Sequence, residues 1–85
     1  SMERDELLRI VCDVVRGQAA DCAGPVEADT PLGPEGLGID SIGCLEIVLE
    51  LEQRTGITLR DESLTAESFA TPASLADQLE RASRG

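Results

Sequence analysis

The chain has 85 residues, 17 acidic against 7 basic, for a net charge of -10. A chain of this size is expected to form one small domain with a thin core, because folding buries only about 60–65% of the unfolded surface. It contains no His, Trp or Tyr, and all seven basic residues are Arg. That excludes imidazole bases, Ser-His-Asp and Cys-His triads, most zinc sites, Schiff-base lysines and phosphate-loop lysines. No catalytic residue and no metal site is expected, and the chain reads as a non-enzyme. Its negative field disfavours nucleic acid and anionic membranes and favours partners with basic patches. From Gly17 to Gln53 there is no Arg, yet Asp21, Glu27, Asp29, Glu35, Asp40, Glu46, Glu50 and Glu52 all fall there.

Cys12, Cys22 and Cys44 make an odd count with no C-x-x-C spacing, which reads as small apolar filler in a reducing cytoplasm rather than a disulfide framework. No signal peptide is evident and no apolar run reaches membrane-spanning length. Ser1 before Met2 reads as a scar of tag removal.

The first periodic segment runs from Glu3 to Arg16, where Leu7, Leu8, Val11, Val14 and Val15 form one stripe of an amphipathic helix that Gly17 is expected to stop. Acidic Glu3, Asp5 and Glu6 at its start and Arg16 at its end suit the helix dipole. From Gly17 to Asp40 periodicity gives way to Gly and Pro, the mark of a long irregular loop with Leu32, Leu37 and Ile39 as its anchors. A structureless loop of about 20 residues usually has a functional reason.

A second helix is expected from about Asp40 to Arg54, closed by Gly56. Its periodicity assigns Cys44, Leu45, Ile47, Val48 and Leu51 to the core face. Ile42, Glu46, Leu49, Glu50 and Gln53 fall opposite: a solvated face, or a docking surface with an apolar centre and an acidic rim. A short helical turn is expected near Glu62 to Ser68. The last helix has Thr71 as N-cap and Pro72 at its first position, carries Leu75, Ala76 and Leu79 inward, and is expected to fade by Ala82. Phe69, the only aromatic residue, is expected to plug the core ahead of it. The fold class is all-α, a small four-helix bundle of three main helices and one short one, with a long loop between helices 1 and 2.

The chemistry concentrates where that loop meets the second helix, at Leu37-Gly38-Ile39-Asp40-Ser41-Ile42. Either Asp40 or Ser41 can serve as a plain N-cap. Glycines at 36 and 38 also let the backbone come close to something, and Ser41 lies in the first turn, where free N–H groups and the dipole favour an attached anion such as phosphate. Nothing in the chain activates its hydroxyl, so the site suits a serine that another protein modifies. A calcium loop starting at Asp29 fails, because its ligand positions fall on Pro31, Gly33 and Leu37.

The segment L-G-I-D-S-I-G-C-L-E-I-V-L-E-L-E, residues 37 to 52, resembles the phosphopantetheine attachment segment of acyl carrier proteins. The resemblance continues through T-G-I at 55–57 and S-F-A-T-P-A-S-L-A at 68–76, and covers the chain from about residue 5. It implies one carrier domain over residues 1–85. It also implies that Ser41 receives 4′-phosphopantetheine from coenzyme A, installed by a separate Mg²⁺-dependent phosphopantetheinyl transferase. The arm then holds an acyl or aminoacyl group as a thioester. Asp40 precedes the modified serine, caps the helix and favours the transferase encounter. Ile42, Glu46, Leu49 and Glu50 match the helix that partner enzymes grip, and docking there is expected to be weak, fast and screened by salt. The implied partners are the transferase, an acyl- or aminoacyl-loading enzyme, and ketosynthase or condensation-type enzymes, met by a cytoplasmic monomer.

Departures from the family pattern narrow the kind of carrier. The absence of Lys, the Gly43-Cys44 pair after Ile42 and the Gly- and Pro-rich loop lean toward a free-standing carrier of secondary metabolism, polyketide or nonribosomal peptide. Asp before Ser fits the acyl type, while Ser-Ile and the 68–76 segment also occur in peptidyl carriers. The rival from another class is an unmodified acidic helical adaptor, which explains the charge but gives no reason for Gly38-Ile39-Asp40-Ser41.

Overall fold

The computed structural model describes residues 2–20 and 24–84, where three α-helices and a 3₁₀ turn form an all-α bundle with no strand among the described residues. Helix α1, Arg4–Gln18, buries Leu7, Val11, Val14 and Val15, the stripe its periodicity predicts. It outruns the expected stop: Gly17 stays helical and the chain leaves at Ala19, whose N–H donates to the Val15 carbonyl. Gly permits an ending without imposing one, and Gly17 is absent from the glycines with positive φ.

Helix α2, Ser41–Thr55, has Asp40 as N-cap and ends at Gly56, which takes a left-handed φ of 72° and donates to the Glu52 carbonyl. The 3₁₀ turn is Asp61–Ser63, followed by a hydrogen-bonded turn over residues 66–69 in place of one short helix from Glu62 to Ser68. Helix α3, Pro72–Arg84, continues past the expected fading at Ala82 with Arg81 and Arg84 in its last turn, where cations complement the dipole.

The start of α3 shows how completely a helix end is satisfied. Pro72 has no N–H to lose, the Ala73 N–H donates to Ala28, the Ser74 N–H to the Thr71 hydroxyl at 3.2 Å, and the Leu75 N–H to the Thr71 carbonyl. The Thr71 N–H in turn donates to Ser74 Oγ at 3.0 Å, a reciprocal capping box built with serine.

Helix α1 packs against both α2 and α3, while α2 and α3 make little contact with each other. The core is the cluster of Leu7, Val11, Val15, Ile47, Leu51, Leu75 and Leu79, closed by Val26 and Leu32 from the long loop and Leu59 after α2. Phe69 packs partly buried against it, as expected of a plug. Ion pairs tie the helices at their rims: Arg4 with Asp77 joins α1 to α3, and Arg54 with Asp13 at 2.6 Å joins α2 to α1. A radius of gyration of 11.6 Å matches the roughly 12 Å of a compact chain this long. No helix of the structure is long and apolar enough to cross a membrane.

The described part of the long loop is folded on itself. The Leu37 N–H donates to Pro31 and the Ile39 N–H to Leu32, while the Leu32 N–H reaches Ala70 ahead of α3. Gly36 sits so close to Pro31 that a Cβ there would lie 2.0 Å from its carbonyl oxygen, a gap only glycine fits. Leu32 is buried and Leu37 and Ile39 pack partly buried, so all three expected anchors hold the loop to the core.

Candidate functional site

The loop delivers the chain to α2 through Gly38, whose φ of 68° turns it toward Ile39 and Asp40. Asp40 takes an extended conformation, and its carboxylate accepts from the Gly43 N–H at 2.8 Å while its carbonyl accepts from Cys44. That settles which of the two candidate residues caps the helix. Ser41 becomes the first helical residue, exposed, with its hydroxyl free of any hydrogen bond among the described residues. The N–H groups of Ser41 and Ile42 have no partner there either, so two donors and the positive end of α2 surround the serine. The other described serines, Ser63, Ser68, Ser74 and Ser83, all spend their hydroxyls on backbone carbonyls.

Gly43 supports this entrance. A Cβ at Gly43 would meet Ile39 Cγ2 at 2.8 Å and Asp40 Oδ1 at 3.4 Å, so the loop lies against α2 only because that side chain is missing. A glycine inside an otherwise helical pattern is the sequence signal for such an approach.

The outer face of α2 differs from expectation at one residue. Leu45, assigned to the core, is 59% exposed, and it joins Ile42 at 69% and Leu49 at 57% in one stripe. At 100° per residue the buried arc runs over about 140° from Gly43 through Ile47 and Leu51 to Val48, and the exposed apolar stripe occupies about 60°. Helix α2 has a large neighbour on one side only, so the arc it buries is narrower than its apolar pattern and rotated toward Gly43. The i, i+3, i+7 spacing of Ile42, Leu45 and Leu49 was the available signal for a second stripe.

The carboxylates beside that stripe are partly engaged. Glu46 accepts from the Gln18 side chain at 2.9 Å, and Glu50 pairs with Arg54 at 2.8 Å. The hydrogen bond Arg54 donates to Asp13 and, against some desolvation, its bond to Glu50 hold the guanidinium even more firmly protonated than usual. Gln18 and Arg54 belong to the face although the periodicity of α2 did not single them out; the Glu50–Arg54 spacing of i, i+4 was legible.

Cys44 is half-buried one turn after Ser41, and burial, followed by the nearby Asp40 charge, pushes its thiol above the ordinary 9.0. Burial likewise raises Cys12, with Arg16 lowering and Glu27 raising it. Both described cysteines are free thiols, and Cys22 lies outside the described residues. No group of three or more His, Cys, Asp or Glu is arranged to hold a metal ion among the described residues.

Among the described residues, Ser41 is the one serine left unengaged, at a helix N-terminus with no His or Lys beside it. The family described as "Phosphopantetheine attachment site" matches residues 5–79. Over 70 residues, 82% of this chain and 84% of the relative, the chain is 36% identical to an acyl carrier protein of Prochlorococcus marinus (strain MIT 9515). No solved structure matches. The chain belongs to the acyl carrier protein family; it is a carrier and not an enzyme, and its prosthetic group is 4′-phosphopantetheine.

Proposed function

We propose that Ser41 is the residue to which 4′-phosphopantetheine is attached, and that residues 1–85 act as one carrier domain delivering thioester-bound intermediates to partner enzymes. The observation that carries the assignment is the Ser41 hydroxyl, exposed and unbonded beside two free backbone N–H groups. Those donors and the dipole of α2 suit the charge of a phosphodiester, while Asp40, committed to its cap, keeps its carboxylate turned to Gly43. The chain's part is to present the hydroxyl; the transferase must supply the base and the metal. Once bound, the group supplies a thiol on a flexible arm, which raises the local concentration of cargo wherever the carrier docks.

The cargo we assign is acyl, in polyketide-type secondary metabolism, served by a loading enzyme and ketosynthase-type partners in the cytoplasm, with the carrier a monomer. Support comes from the Lys-free composition and the Gly43-Cys44 pair after Ile42. Docking falls to Ile42 and Leu49 with Glu46 and Glu50 at the rim, and the exposure of Leu45 adds it to the apolar centre.

The test is intact-protein mass after incubation with coenzyme A, Mg²⁺ and a broad-specificity phosphopantetheinyl transferase. The wild type should gain one phosphopantetheinyl group and a folded Ser41→Ala variant none. Gain by both would move the site elsewhere, and gain by neither would favour an unmodified acidic adaptor. Loading the modified protein with acyl against aminoacyl donors then separates the polyketide assignment from a peptidyl carrier.

A further inference from the structure

A second surface lies at the opposite end of α2 from Ser41. The 15-residue helix is about 22 Å long, and where it ends at Thr55 and Gly56 a groove opens between the following chain and the last two turns of α3. Its apolar floor includes Met2, Ile57 and Ala82, all partly buried against the core, and Arg60, Arg81 and Glu62 stand along it.

Its charge runs against that of the molecule. In a chain of net charge -10, Arg4, Arg16 and Arg54 all find carboxylates. Arg60 and Arg81 find none among the described residues, although Glu62 is close enough to line the same groove. Asp77 and Glu80, on α3 beside Arg81, are turned instead to Arg4 of α1. Arg81 also serves the C-terminal dipole of α3, but Arg60 lies outside the α-helices and has no such role. Arg9 and Arg84 also have no ion pair among the described residues but lie off the groove.

Volume selects the kind of occupant. The groove measures about 1250 Å³, beyond the roughly 300–1,000 Å³ of pockets that enclose small molecules. It lies on a chain too small to close over a ligand. A segment of polypeptide with apolar residues on one side and carboxylates on the other fits the floor and both cations.

We infer that the groove between the end of α2 and α3 docks an acidic amphipathic segment of a partner protein through Met2, Ile57 and Ala82 and the guanidinium groups of Arg60 and Arg81. Engagement there leaves the Ser41 end of α2 and its exposed apolar stripe uncovered. A partner held at this groove keeps the serine end at high local concentration near its own active site. The inference stands on the unmodified chain and does not require Ser41 to be the attachment residue.

The test uses the unmodified protein, ¹⁵N-labelled, and a synthetic helical peptide of about 12 residues with Leu on one face and Glu on the other. Its counterpart has every Glu replaced by Gln. The acidic peptide should shift the amides of Ile57, Arg60, Arg81 and Ala82 saturably, in the sub-millimolar range, and the Gln peptide should bind at least about fivefold more weakly. Arg60→Gln with Arg81→Gln should weaken the acidic peptide about tenfold while lowering the unfolding midpoint only slightly, since both side chains are exposed. Shifts confined to Ile42, Leu45 and Leu49, equal binding of the Gln peptide, or no saturable shift would overturn the proposal. So would monomeric laurate filling the groove when the peptide does not. A dimer by sedimentation that the double variant abolishes would make a second copy of the chain the occupant and overturn it equally.

Discussion

Gly43 inside α2 and Gly56 just beyond its end hold the serine's helix in place for different reasons. Gly56 has open space where a Cβ would go, but its φ is 72°, so Gly56→Ala costs torsional strain of about 1 kcal/mol. Gly43 lacks positive φ, and a Cβ there would press Ile39 at 2.8 Å, so Gly43→Ala costs about 1–3 kcal/mol by overpacking. Denaturant midpoints rank the two, and only Gly43→Ala should also slow modification of Ser41, because it displaces the Asp40 entrance. Asp40→Ala should cost about 1 kcal/mol through the lost cap, and Asp40→Asn should restore most of it. The thiols have a pH signature. Both described cysteines titrate above 9.0 when folded, so between the unfolded and folded values the native state binds more protons than the unfolded one. Stability should be fully present below pH 9 and fall as pH rises through the folded values, and Cys12→Ser with Cys44→Ser should flatten that fall in unfolding curves measured against pH.

At the scale of the helix, the buried arc of α2 is separate from the exposed stripe proposed for docking. Ile47→Ala should cost about 2–5 kcal/mol, because that side chain is wholly buried. Ile42→Ser, Leu45→Ser and Leu49→Ser should each move stability by no more than about 0.5 kcal/mol while reducing transfer to partner enzymes. If Leu45→Ser unfolds the protein instead, its exposure is not its working position. Arg54→Gln releases Glu50 from its ion pair and leaves Asp13 to Arg16 alone, so association with a basic partner should become faster and more sensitive to salt in stopped-flow measurements. The three helices and the loop were legible because each rests on local signals: the stripe of α1, Gly56 after α2, and Thr71-Pro72 before α3. Errors of extent at Gly17 and Ala82 arose where a residue allows an end that neighbouring packing decides.

Across the whole molecule, 17 acidic residues against 7 basic ones set a self-repulsion that the few ion pairs offset only at the helix rims. Moderate salt or millimolar divalent cations should therefore raise the melting temperature, and an unchanged or lower value in a calorimetric scan would show that repulsion does not limit stability. The same composition pointed to function class without reference to shape: with no His and no Lys the serine at the head of α2 has no imidazole or amine base of its own, which suits the proposal that it is modified by another protein. Ser41, Asp40 and the helix they open were also readable from sequence, because capping, dipole and turn preferences act within a few residues. Tertiary structure alone decided that Leu45 faces outward, that Gln18 holds Glu46 and Asp13 meets Arg54, and that Ala28 and Ala70 meet α3 and Leu32. Each depends on which distant segment arrives beside a residue, and a helical pattern records how apolar a face is but not which neighbour covers it.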